Sequence, residues 1–123
     1  MAHSVLLVDD NRSIRRALRS MFEASGFVCS ESENGQQALA DAGRLKPDII
    51  VLDYSMPVMN GLEAAALLKK ILPQTPIIMF TMFANETLAA KALAAGVTAV
   101  YSKEQAGTHL IPKAESLLKS ASL

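Results

Sequence analysis

Five short apolar runs alternate with helical patterns along the whole chain, and this alternation restricts the fold more than any other feature. The runs are Ser4–Val8, Phe27–Glu31, Asp48–Leu52, Pro76–Phe80 and Thr98–Ser102. The first, third and fourth are almost wholly apolar, as expected of strands buried on both faces. The second, Phe27-Val28-Cys29-Ser30-Glu31, turns polar early and suits a sheet edge. Between the runs, helices are expected over Arg12–Ala24, Gln36–Leu45, Leu62–Leu72, Glu86–Ala95 and Gly107–Leu118. Asn11 and Asn85 are placed to cap their helices, and Gly26 and Gly96 to stop them. Pro112 falls inside the last pattern and suggests a start nearer Ile111.

Five βα units predict an α/β fold: a flavodoxin-like (βα)5 three-layer sandwich around a five-stranded parallel sheet in the order 2-1-3-4-5. A chain of 123 residues suits a single domain over 1–123. Formal net charge is zero, with 12 basic and 12 acidic residues, so no overall field draws the chain to nucleic acid or an anionic membrane. No apolar stretch is long enough to cross a bilayer, and Met1-Ala2-His3-Ser4 has no signal-peptide pattern. A cytoplasmic protein is expected. The lone Cys29 reads as a small core residue.

In that topology the carboxyl ends of the strands converge on one crevice. Asp9 and Asp10 follow strand one, Asp53 strand three, Thr81 strand four and Lys103 strand five. Adjacent carboxylates at the end of a buried strand repel each other and resist dehydration. A hard cation such as Mg²⁺ (or Mn²⁺) offsets both costs, and Asp10 and Asp53 are candidate ligands. Asp53 could then attack phosphorus as a nucleophile, with Lys103 stabilising the phosphoryl charge and Thr81 hydrogen-bonding one oxygen.

Taken singly, each residue has a plainer reading. Asp9-Asp10 could cap a helix, Asp53 open a loop, Lys103 sit solvated, Thr81 be an ordinary strand residue and Tyr101 a core aromatic. Asp48 reads as a turn residue, Met56 and Met59 as loop packing, and the arginines of the first helix as a solvated face. His3 and His109 are isolated from other ligand types.

Asp9-Asp10, Asp53 with Met56-Pro57 and Gly61, Thr81 and Lys103 together resemble the response-regulator receiver domain of two-component signalling, across essentially the whole chain. The stretch Met79–Phe83 is similar to the branch whose members carry a helix-turn-helix output domain. The resemblance implies that Asp53 takes a phosphoryl group from a sensor histidine kinase or phosphotransfer protein. It implies Mg²⁺ held by Asp10, Asp53 and the Ser55 carbonyl, with Asp9 acting through water. It also implies that Thr81 is drawn to the phosphoryl group while Tyr101 rotates inward as an aromatic switch. Such a domain catalyses only its own phosphorylation and dephosphorylation.

The face of the fourth helix, fifth strand and fifth helix, including Leu88, Ala92, Ala95 and Tyr101, would then dimerise or dock a partner. No direct nucleic-acid or membrane contact by this chain is expected. Phe83 and Met82 are placed to shield the acyl phosphate from water. Two departures stand out: Met82 replaces a common alanine, and Glu104 replaces the usual proline after Lys103.

Rival functions fit less well. A flavodoxin-like cofactor binder needs a hydroxyl- and glycine-rich phosphate loop where Asp9-Asp10-Asn11-Arg12 stands. A haloacid-dehalogenase-type phosphatase needs a second carboxylate two residues after its nucleophile. The alternatives that remain are a phosphate-independent interaction module on the same fold, or the receiver fragment of a longer DNA-binding regulator.

Overall fold

The computed structural model describes residues 2–82 and 84–121. Its elements alternate from end to end: β1 (Ser4–Val8), α1 (Arg12–Ala24), β2 (Val28–Ser32), α2 (Gly35–Leu45), β3 (Ile49–Asp53), α3 (Gly61–Ile71), β4 (Ile77–Thr81), α4 (Glu86–Ala94), β5 (Ala99–Ser102) and α5 (Lys103–Ala121). The five strands form one parallel sheet in the order β2-β1-β3-β4-β5. The expected fold class and strand order hold.

Strand alternation divides the core into two layers. Val5, Leu7, Ile49, Val51, Ile78 and Phe80 point to one face and pack with Leu18, Phe22 and Leu110 of α1 and α5. Leu6, Val8, Ile50, Leu52, Ile77 and Met79 point to the other and meet α2, α3 and α4 through Ala38, Ala64, Leu68 and Ala92. Both layers are built of buried apolar side chains, so truncating a residue such as Leu68 (0% exposed) to alanine would cost about 2–5 kcal/mol. Cys29 is buried and unbridged, as its place in a strand predicts.

A side-chain cap starts every helix. Asn11, Asn34, Asn60 and Asn85 each accept a backbone N–H three residues on, at 2.8–3.1 Å. Glu63 returns a bond to the Asn60 amide and completes a capping box. At α5, the Ser102 hydroxyl accepts from Gln105 N–H at 3.2 Å and the Gln105 amide oxygen accepts from Ser102 N–H at 3.0 Å.

That reciprocal cap corrects the expected start of α5. The helix begins at Lys103, not at Gly107 or Ile111, and runs through Pro112. The peptide between Lys103 and Glu104 is trans. At the opposite end of the sheet, Asp48 is structural: its carboxylate accepts from the Ser4 N–H at 2.8 Å and joins the starts of β1 and β3.

Candidate functional site

The carboxyl ends of β1, β3, β4 and β5 meet where the sequence places the acidic crevice. Asp53 is the last residue of β3 and 1% exposed; Asp9, directly after β1, is fully buried; Asp10 is exposed. Carboxylate oxygens of all three lie within 4.8 Å of one another. Lys103 Nζ is 3.7 Å from Asp53 Oδ1 and 3.8 Å from Asp9 Oδ2, and also stands 5.4 Å over the Phe80 ring. Because Lys103 opens α5, the Ser102–Gln105 cap fixes where its side chain starts.

This crevice is electrostatically unfinished. Asp9 Oδ1 accepts from Asn11 N–H at 2.8 Å, but Asp9 Oδ2 is buried with no hydrogen-bond donor. Burial pushes the Asp9 carboxyl up to about 7, against the Asn11 bond that lowers it, and repulsion from Asp53 adds to the rise. Burial also raises Asp53, although Lys103 and the Ser55 N–H at 3.3 Å pull it back. One ammonium is shared by Asp9 and Asp53 while Asp10 adds a third carboxyl to the cluster, and a buried acceptor without a donor is rare in a native interior. All-oxygen donors, one of them orphaned, are the chemistry a hard divalent cation satisfies.

Backbone contacts hold the nucleophile candidate in place. A Cβ at Gly61 would fall 2.6 Å from the Asp53 carbonyl oxygen and 2.7 Å from Tyr54 Cα, so α3 packs directly on the β3 terminus. Gly61 N–H donates to the Tyr54 carbonyl at 2.8 Å. Between them, Met59 N–H donates to the Pro57 carbonyl at 2.7 Å across Val58, whose φ is +70°. This is a γ-turn of the strained hand on a β-branched residue.

Residues 5–115 match the family described as the response regulator receiver domain. The chain belongs to that family. The receiver domain is 38% identical over 125 residues to a protein-glutamate methylesterase/protein-glutamine glutaminase of Hahella chejuensis, covering 97% of this chain and 36% of that protein. It is 38% identical over 99 residues to the response regulator VraR of Staphylococcus aureus, covering 79% of this chain and 47% of that one. The chain thus spans half or less of the length of these relatives. The response-regulator domain of Thermotoga maritima CheB superposes with a TM-score of 0.89 at 27% identity, covering 97% of this chain and 98% of that one. The chain is therefore a two-component signalling domain; receiver domains bind Mg²⁺ at an acidic pocket, and Asp9, Asp10 and Asp53 form an acidic cluster in this one.

Several expected residues sit elsewhere than the sequence suggested. Tyr101 and Phe80 are register partners, and both belong to the layer under α1 and α5. Alternation puts Thr81 and Ser102 on the other face, with Met79 and Val100. An inward turn of Tyr101 toward Thr81 would have to cross the sheet, so the aromatic-switch role does not fit this residue. Its ring instead lies 5.5 Å from that of His109. The α4-facing side of β5 carries Val100, beside Ala84 and Ala89.

Leu88 and Ala92, expected on the α4 surface, are buried; Leu93 is the large apolar residue exposed there. Phe83, one of the two proposed shields, lies outside the described residues, while Met82 is 62% exposed. The arginines of α1 are only partly a solvated face. Arg15 binds Glu31 at 3.0 Å and the Asp9 carbonyl oxygen at 2.7 Å, and Arg19 binds Glu31 at 2.8 Å. Glu31 is the penultimate residue of β2, so the sequence signal for this contact is an acid next to a strand end.

Proposed function

We propose that Asp53 is the phosphoacceptor of this receiver domain, in a reaction that requires a divalent cation. The observation that supports it is the buried Asp53 carboxylate set between two further carboxylates and the Lys103 ammonium, with the Asp9 Oδ2 acceptor left without a donor. Asp10, Asp53 and the Ser55 carbonyl would hold Mg²⁺, with Asp9 beside them. When bound, the cation supplies positive charge where the phosphoryl oxygens gather. Asp53 attacks phosphorus through a carboxylate oxygen and becomes an acyl phosphate. Lys103 neutralises equatorial oxygen charge, and the Thr81 hydroxyl donates to one of those oxygens. Catalysis ends with the domain's own phosphorylation and dephosphorylation.

The phosphodonor protein would be a sensor histidine kinase or phosphotransfer protein in the cytoplasm; no helix among the described residues is long and apolar enough to cross a membrane. Phosphorylation would bias a two-state equilibrium read on the α4-β5-α5 face, through dimerisation or a protein partner, without direct nucleic-acid contact by this chain. Intact-mass measurement after incubation with Mg²⁺ and a small acyl phosphate tests the acceptor role. A Mg²⁺-dependent adduct absent from Asp53→Ala is expected, and an unmodified wild-type protein would overturn the reading.

A further inference from the structure

A cleft lined in part by Tyr54 and Ser55, the two residues after Asp53, takes no part in the chemistry proposed above. It has a volume of about 500 Å³ and lies between the β3 terminus and α4, with Tyr54, Ser55, Thr81, Asn85, Thr87 and Lys91 among its lining residues. One of these, Ser55, donates its N–H to Asp53 Oδ1 at 3.3 Å, so the cleft adjoins the reactive carboxylate. Beside Met82 and Leu88, the lining carries hydroxyl and amide groups and one cation.

Lys91 has no structural employment. Arg15, Arg19, Arg44 and Lys103 are tied to carboxylates, and Lys69 to the Thr75 carbonyl at 2.6 Å. Among the described residues, no ion pair or hydrogen bond engages the Lys91 side chain. It is exposed on α4 and lines the cleft, whose other lining residues include neither Asp9 nor Asp10.

We infer that this cleft is the leaving-group subsite for anionic phosphodonors, with Lys91 as the specificity-determining cation for small acyl phosphates. The inference rests on Asp53 being the phosphoacceptor. In-line displacement requires the departing group to lie opposite the attacking Asp53 oxygen. The Asp53 oxygen–phosphorus bond forms as the bond between phosphorus and the bridging acyl oxygen breaks. The electron pair of that bond leaves on the carboxylate of the free acid, with no proton needed. A carboxylate departing beside Asp53 and Asp10 is repelled by both, and an ammonium in the cleft offsets that repulsion as it develops. Phosphoramidate makes the opposite demand, because its nitrogen leaves as neutral ammonia.

Lys91→Met and Lys91→Arg are compared with the wild type for the rate of Asp53 modification by acetyl phosphate and by phosphoramidate at saturating Mg²⁺. The Met variant should lose about fivefold with acetyl phosphate, the upper end for an exposed ion pair, and change less than about twofold with phosphoramidate. The Arg variant should recover the acetyl phosphate rate. A non-reactive phosphonate analogue of acetyl phosphate should move the Thr87 and Lys91 amide resonances in the wild type and not in Lys91→Met. Equal losses with both donors, or no loss with either, would overturn the subsite. If neither donor modifies wild-type Asp53, the phosphoacceptor reading itself fails, and the subsite with it.

Discussion

Two groups of charged residues lie side by side at the carboxyl ends of β1, β2 and β3, and they are built on opposite terms. Glu31, one residue before the end of β2, receives Arg15 at 3.0 Å and Arg19 at 2.8 Å. Burial alone would raise its carboxyl, but the two guanidinium bonds outweigh it and hold Glu31 below the usual range. Asp9 and Asp53 share one lysine at 3.7–3.8 Å, and both are raised by burial. The first group is complete within the chain and serves the fold. The second is left short of positive charge and serves a ligand. Arg15 joins them, since it also holds the Asp9 carbonyl oxygen.

The sharpest break between the groups is chemical. Asp53→Asn should abolish phosphoryl transfer entirely, whereas Glu31→Gln should leave it within a few-fold. Radiolabelled or mass-resolved phosphorylation checks both, and a loss of comparable depth in Glu31→Gln would show that Glu31 belongs to the reactive site.

Stability should move in opposite directions. Without divalent cation, Asp9→Asn removes a buried repulsive charge while its amide oxygen can still accept from Asn11, and should stabilise the domain by about 1–2 kcal/mol. Glu31→Gln removes the ionic character of two hydrogen bonds and should destabilise it by about 1–2 kcal/mol. Chemical denaturation measures both, and a shared sign would erase the distinction. Mg²⁺ should stabilise the wild type and stabilise Asp9→Asn less.

Why was one group read from the sequence and the other missed? The strands and their order followed from apolar runs, whose burial on both faces admits one architecture. Asp9, Asp10, Asp53, Thr81 and Lys103 each stand at a strand end, and topology alone brings strand ends together. The Arg15–Glu31 contact depends on side-chain reach between α1 and β2, which helical periodicity does not encode. Tyr101 failed on parity, because one residue along β5 exchanges the α4 face for the α5 face. The start of α5 is written in the sequence as Ser102-x-x-Gln105, a capping signature that lies ahead of the helix's apolar periodicity and is not registered by it.

The pH dependence separates the groups more finely. Carboxyls raised by folding bind protons more tightly in the folded than in the unfolded chain. Their contribution is greatest below the unfolded value of 3.8 and is lost as pH rises to about 7 for Asp9. Glu31 works the other way: its contribution is present above the unfolded value of 4.5 and lost as pH falls through its lowered folded value. Cation-free stability should therefore decline between about pH 5 and pH 7, and Asp9→Asn or Mg²⁺ should flatten the decline. Glu31→Gln should leave that decline intact and weaken the acid-side loss. A decline that survives Asp9→Asn would move its origin to Asp53.

The smallest effect concerns the backbone, where the same contrast recurs. Lys46 and Val58 are the non-glycine residues with positive φ among those described, at +48° and +70°. Lys46 closes α2 at the end of the sheet away from the crevice, where a left-handed cap on an unbranched residue is tolerable. Val58 is β-branched, 87% exposed, and held in a γ-turn five residues after Asp53. No packing offsets its strain, so the strain lies in the loop that positions the acceptor. Val58→Gly should stabilise the domain by about 1 kcal/mol, the relief of that strain less the entropy glycine adds to the unfolded chain. Lys46→Gly should change stability by only a few tenths of a kcal/mol. If Val58→Gly also leaves the phosphorylation rate unchanged, the strain is incidental. A slower rate with a more stable fold would mean that this loop, like the carboxylates it adjoins, is kept from its own minimum to hold the site open.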